Sequence, residues 1–395
     1  MTKQQVPGLK VCLLSVPVPD REGGHILVFN FLHVLLPIAE EIYLITGNYP
    51  EHDLPGSKIR LTNVSNDPLT SRPKQSLLSR AAKYVTTQLK MSYRLAKIAP
   101  AADMVIFFIG GSSLLFPMVT AKLRGKKTIL VATASGAVCS RNIYRKSFVG
   151  VGGLITYGIV SVLERLNYRL CDNIVVYSPS LVQEFGLERY KHKISLAHEH
   201  FLHFDRFKLQ KPLNERTNLV GYIGRLSQEK GILNFMEAIP KVVETRGEAT
   251  FLIAGDGQLR PQVEEYAVQS SNKVRFIGWI PHDELPEYLN KLKLLVLPSY
   301  TEGLPNIMLE AMACGTPVLS TPVGATPDII KDGETGFIME NNSPECIAGN
   351  IVRALDHPSL EQIARNARAL VEREFTHEAA VERYKNILDG LWQKI

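Results

Sequence analysis

Residues 294–321 read L-L-V-L-P-S-Y-T-E-G-L-P-N-I-M-L-E-A-M-A-C-G-T-P-V-L-S-T. The run 294–299 is apolar, continuous and short, as a strand covered on both faces should be. Pro305 suits the first turn of a helix, where its missing N–H costs nothing. Gly315 and Pro317 stop that helix just before the next strand-like run, 317–321. Strand, loop, helix and strand in 28 residues make one βαβ unit, and βαβ units build parallel sheets with right-handed crossovers. In such sheets ligands sit beyond the carboxyl ends of the strands, so the loop 299–306 is where chemistry is to be sought. The backbone N–H groups of Gly303, Leu304 and Asn306, with Pro305 between them, stand at a helix N-terminus, a ready anion site. Glu302 precedes that terminus, and Glu310 follows eight residues later among apolar neighbours. An unpaired carboxylate there would be costly. Glu310 is therefore expected to accept hydroxyls of a ligand, with capping of backbone N–H groups as the alternative.

Ten further runs of the same kind extend the pattern: 10–16, 42–47, 104–110, 128–133, 173–178 and 193–197, then 219–224, 250–255, 274–279 and 336–340. Twelve strands alternating with helix-length segments divide naturally into two doubly wound parallel sheets. The expected fold class is α/β, with two Rossmann-like domains facing a central cleft. The polar stretch 203–218 is the expected linker, giving domains 1–205 and 206–395, with the last helix free to cross back to the first. At 395 residues, 45% apolar and 21% charged, the chain can bury full cores. Five Cys, scattered and odd in number, form no C-x-x-C, which argues against a disulfide framework or a zinc site. The first ten residues carry no apolar signal region, so a cytoplasmic location is expected.

Three more loops follow strand-like runs. In 221–231, G-Y-I-G-R-L-S-Q-E-K-G, Gly224 ends a strand and Arg225 and Lys230 lie on the connection. A guanidinium there can grip phosphate through two parallel bonds, and an ammonium adds a compact charge; two solvated surface cations are the plainer reading. Gly255-Asp256-Gly257 begins like a dinucleotide fingerprint but continues Q-L-R, so a tight turn fits better than a pyrophosphate cradle. Gly23 and Gly24, after the first strand, would let backbone approach a ligand, or simply form a turn.

Together these segments resemble glycosyltransferase family 4: G-R-L-S-Q-E-K-G, then I-A-G-D-G, then F-I-G-W-I, then E-G-L-P-N-I-M-L-E-A-M-A-C-G-T-P-V-L-S-T-P-V-G. The resemblance implies a GT-B fold, a UDP- or GDP-linked sugar donor, no metal, and hexosyl or N-acetylhexosaminyl transfer with retention of anomeric configuration. Carried over by motif, Arg225 and Lys230 would grip the donor diphosphate, Glu302 would lie near the transferred sugar, and Glu310 would bind the ribose. Those three residues Glu302, Arg225 and Lys230 are the expected catalytic set. Gly23, Gly24, Gly224, Gly255, Gly257, Ile280 and the backbone of 303–306 would line the donor. The physics agrees, because fixed cations stabilise a leaving diphosphate and carboxylates a positive anomeric carbon. Two departures stand out. Segment 133–138, T-A-S-G-A-V, lacks the His many relatives place near the sugar, and H-E-H-F-L-H-F-D (198–205) replaces the usual Asn-Gly-Val-Asp. No Cys or carboxylate pattern accompanies His198, His200 and His203, so polar packing is favoured over metal ligation.

The net charge of +6 is unevenly shared. Residues 1–205 hold 24 Lys/Arg against 14 Asp/Glu, and 206–395 hold 21 against 25. Between Asp67 and Glu164 the one acid is Asp103, against fourteen cations. Such a field suggests an anionic partner. Arg80, Lys83, Lys90, Arg94 and Lys97 recur at helical steps in an expected helix over 76–98, beside an apolar stripe of Leu78, Ala82, Val85 and Leu89. A basic amphipathic helix of this kind can lie on anionic lipid; a solvated face is the alternative. The uncharged run 148–163 is too short for a span of about 20 residues, though it could dip into the interface. The expectation is a peripheral enzyme on the cytoplasmic face of the cell membrane, with a saccharide or lipid-linked acceptor. No nucleic-acid motif is present. A non-catalytic scaffold or partner subunit of the same fold, or a sugar phosphorylase or epimerase, are the rivals.

Overall fold

The computed structural model describes residues 8–17, 24–65, 77–133, 151–270 and 272–393. The chain divides into two compact units, Met1–His200 with His377–Ile395, and Phe201–Thr376.

In the first unit seven strands form a parallel sheet in the order β3-β2-β1-β4-β5-β6-β7. They are β1 (Lys10–Leu14), β2 (Glu41–Thr46), β3 (Ile59–Asn63), β4 (Met104–Phe107), β5 (Lys127–Ala132), β6 (Asn173–Val176) and β7 (Ile194–Leu196). The continuous apolar runs are central because both faces are covered: Cys12, Leu13 and Leu14 in β1 and Met104 to Phe107 in β4 are fully buried. Asp103 serves this register, accepting the Lys10 N–H at 2.7 Å where β4 begins beside β1. Strand β3 was not among the twelve expected runs. It lies at the sheet edge, where Arg60 and Asn63 face solvent and only part of one face needs apolar cover. The helix His377–Trp392 closes this unit by packing on Gly24–Leu35, with the Tyr384 and Phe31 rings 4.7 Å apart.

In the second unit six strands run in the order β10-β9-β8-β11-β12-β13, again parallel. These are β8 (Leu219–Ile223), β9 (Thr250–Ala254), β10 (Val274–Phe276), β11 (Leu294–Leu297), β12 (Val318–Ser320) and β13 (Phe337–Ile338). The order reverses between β8 and β11, and in such sheets ligands bind at the carboxyl ends of the strands where the order reverses. Tyr222, Phe235 and Phe251 stack through one side of the sheet and anchor its core. Arg216, buried, ties the lower end together: its guanidinium donates to the carbonyls of Lys211, Leu289, Leu292 and Cys314 and to the Thr316 hydroxyl.

Candidate active site

Four loops at the carboxyl ends of β8, β9, β11 and β12 are seated on one another through glycines. Gly231 (φ +71°) ends the loop after β8, and a Cβ there would stand 2.0 Å from the Pro298 carbonyl oxygen. A Cβ on Gly255 would meet the Gly224 oxygen at 1.8 Å, and one on Gly257 the Leu226 oxygen at 2.4 Å. Gly324, after β12, is as close to the Glu302 and Gly303 oxygens. Gly255 and Gly257 thus let the β9 loop lie against the β8 loop, an approach held by Leu226 N–H to Asp256 O at 2.8 Å. The β10 loop joins them through Gly255 N–H to Gly278 O, 2.7 Å, which places Ile280, half-buried, next in line.

On this scaffold Lys230 ends a short 3-10 turn, Gln228–Lys230, and its ammonium donates to both Glu302 carboxylate oxygens, at 2.7 and 2.6 Å. The Ser299 hydroxyl donates to the same carboxylate at 2.7 Å. The lysine side chain is 26% exposed and the glutamate 9%, so the pair is sheltered but reachable. Arg225 differs. Its side chain is 67% exposed, with Glu229 3.7 Å away, and it is free to turn toward an incoming anion.

The helix after β11 spans Asn306–Ala313. Pro305, expected in its first turn, is instead the N-cap residue with extended backbone. Helix geometry therefore leaves the N–H groups of Asn306 and Ile307 without intrahelical acceptors, an anion-binding end. Glu310 lies in the following turn, buried, and its Oε1 is 2.7 Å from His282 Nε2. The His282 ring is tilted against Phe207, centroids 5.3 Å apart. Glu310 thus pairs with a side chain rather than capping backbone.

The other expected residues lie outside these loops. Gly24 opens the helix Gly24–Leu35 in the first unit, while Gly23, most of the 133–138 segment and Cys139 lie outside the described residues. His198 and His200 are buried in the first unit. His198 Nδ1 is 3.5 Å from an Arg383 guanidinium nitrogen, and the His200 ring stands edge-on to Tyr177 at 5.0 Å. Burial holds His200 at about 3 and pushes Glu199, which accepts from the Tyr177 hydroxyl, up to about 7. His203 belongs to the second unit, exposed against Phe201. The His198 and His200 rings meet edge-on, centroids 5.8 Å apart.

Residues 217–357 match the family model described as glycosyl transferases group 1, a span that contains Lys230, His282, Ser299, Glu302 and Glu310. The chain is 31% identical over 216 residues to the alpha-D-kanosaminyltransferase of Streptomyces kanamyceticus, covering 53% of this chain and 55% of that protein. It is 30% identical over 185 residues to a GDP-mannose-dependent monoacylated alpha-(1-6)-phosphatidylinositol monomannoside mannosyltransferase of Corynebacterium glutamicum, covering 45% and 48%. The chain spans about half the length of the curated relatives it matches. In structure it is similar to Anabaena HepE, solved in complex with UDP and glucose: TM-score 0.69 at 16% identity, covering 96% of this chain and 99% of that one. The fold is GT-B, built from two parallel-sheet Rossmann-like domains.

Two members of the site are not evident from sequence patterning. His282 follows F-I-G-W-I-P directly, and its place after a strand is the available signal. Ser299 closes the apolar run 294–299, where it reads as a strand end, and only the fold makes it the partner of Glu302.

Proposed function

We propose that the chain is a retaining, metal-independent glycosyltransferase that moves a hexosyl or N-acetylhexosaminyl group from a UDP- or GDP-sugar to an acceptor, lipid-linked or membrane-associated. The observation that carries this reading is the Lys230–Glu302–Ser299 constellation beside a helix N-terminus, at the point where strand order reverses. In transfer, the bond from the anomeric carbon to the diphosphate oxygen breaks with its electron pair leaving on the diphosphate, and the acceptor hydroxyl oxygen bonds to that carbon on the face just vacated while its proton passes to the departing diphosphate oxygen. Lys230, Arg225 and the first-turn N–H groups stabilise the departing charge, so no divalent cation is needed for that purpose. The Glu302 carboxylate aims the ammonium and offsets positive charge on the sugar. Glu310, aimed by His282, receives ribose hydroxyls.

The named relatives support a nucleotide-sugar donor: HepE is solved with UDP, and the mannosyltransferase is named for GDP-mannose. That relative's name also contains a phosphatidylinositol acceptor, in keeping with a peripheral site of action on the cytoplasmic face. Among the described residues no helix is long and apolar enough to cross a membrane. The test is incubation with a panel of labelled UDP- and GDP-sugars plus a lipid extract, in EDTA, followed by product partitioning and anomeric analysis. Labelled lipid with retained configuration is expected, and its loss in Glu310→Ala. No turnover of any donor, or turnover only on adding orthophosphate, would overturn the reading.

A further inference from the structure

Three helices of the first unit expose apolar side chains on their outer faces. In Leu77–Ile98 Thr87, Gln88, Met91 and Leu95 are buried, while Val85, Leu89 and Tyr93 point to solvent at four-residue steps. The neighbouring helix Leu115–Leu123 exposes Phe116, Val119 and Leu123, the last 82% exposed. In Val151–Leu170 the buried residues include Glu164 and Asn167, and Ile159, Val162 and Leu166 face out. Polar bonds draw the inner faces to the turn between the sheet and the middle helix. Gln88 accepts the Phe116 N–H at 3.0 Å, Asn167 donates to Ser112 O at 2.7 Å, and the Ser112 hydroxyl donates to Glu164 at 3.0 Å. The first and third helices each pack on the middle one, so the three outward stripes adjoin.

Outward apolar positions at helical spacing, in addition to a buried face, depart from the usual polar outer side of a surface helix. Contiguous apolar surface of this extent marks an interaction site. Charge identifies the partner: the three helices contain one acid, Glu164, and it is turned inward, whereas Lys90, Arg94, Lys97, Arg165 and Arg169 are exposed among the apolar side chains. The Lys97 ammonium lies over the exposed Tyr93 ring at 4.4 Å. We infer that this face seats the protein on an anionic lipid bilayer, its three apolar stripes entering the headgroup–acyl boundary while the cations meet lipid phosphates. This deepens the peripheral location proposed above and rests on it; donor chemistry in the second unit is separate.

The test is flotation of the full chain with vesicles of 30% phosphatidylglycerol in phosphatidylcholine, compared with phosphatidylcholine alone, at 0.1 and 0.5 M NaCl. Wild type is expected to float with the anionic vesicles and to stay more than half bound at 0.5 M, because apolar insertion outlasts screening. Leu89→Asp/Leu123→Asp, at positions 53% and 82% exposed, is expected to weaken binding at least tenfold while keeping thermal unfolding and donor-sugar hydrolysis unchanged. Absence of flotation, equal flotation of the variant, complete release at high salt, or a dimer in sedimentation that the variant abolishes would each overturn the assignment. Flotation with no turnover of any nucleotide sugar would instead sink the transferase reading and leave the docking face standing.

Discussion

Lys230→Met keeps most of the side-chain volume and removes the ammonium. At about 4 Å from a phosphate oxygen, in a site with an effective dielectric near 20, one unit charge is worth about 4 kcal/mol. That corresponds to roughly a thousandfold in the rate of diphosphate departure, at about 1.4 kcal/mol per tenfold. The Glu302 carboxylate, 9% exposed, would keep only the Ser299 hydroxyl and would repel the incoming diphosphate. Because the two groups share both oxygens of one contact, their losses should not add. Lys230→Met/Glu302→Gln is expected to be at least tenfold more active than the product of the single losses, a coupling of about 1.4 kcal/mol or more. Single-turnover release of labelled sugar reads the chemical step, and calorimetric titration with UDP or GDP reads binding. Activity of Lys230→Met within tenfold of wild type would refute the assignment, as would additivity within about 0.5 kcal/mol.

His282→Ala removes the partner that aims Glu310; donor KM is expected to rise about tenfold with kcat little changed, and an effect on kcat alone in initial-rate kinetics would contradict this. Arg216→Met leaves several buried carbonyls without donors, each worth about 1–3 kcal/mol. Calorimetry should show the transition of the second unit lower by about 10 °C, and a shift under 3 °C would disprove the guanidinium's bracing role. Glu199 is held near 7 by burial, above its unfolded value, so its contribution is full below about pH 4.5 and is lost as pH rises through 7. Glu199→Gln should therefore gain about 3 kcal/mol relative to wild type between pH 5 and 8 in urea unfolding. The depressed His198 and His200 act with opposite sign in both proteins. A pH-independent difference would rule out the buried carboxyl as the cause.

Twelve strands were readable because parallel strands buried on both faces leave continuous apolar runs. Strand β3 was not, since an edge position lets I-R-L-T-N alternate irregularly and half-expose itself. The site was readable as residue types after strands, but its pairings were not. Lys230 and Glu302 are 72 residues apart, and only the reversal of strand order brings their loops together. Gly255 and Gly257 resembled a phosphate fingerprint because the same freedom from a Cβ also serves loop-on-loop contact. On the helix Leu77–Ile98 the basic and apolar stripes were visible, but the buried face runs through Thr87, Gln88, Met91 and Leu95 instead, with Gln88 accepting the Phe116 N–H, a bond that periodicity does not encode.

The glycine seats have a consequence for anyone wishing to redirect this chain to another sugar. Each loop end presses a bare Cα onto a neighbour's carbonyl, so the loops after β8, β9, β11 and β12 behave as one casting rather than four replaceable parts. Grafting a single loop from a relative would leave its seat unmatched and unsettle the Lys230–Glu302 contact at a distance. Substitutions confined to side chains that project from the casting, such as Ile280 and Asn306, can vary the surface offered to donors while the backbone beneath stays put.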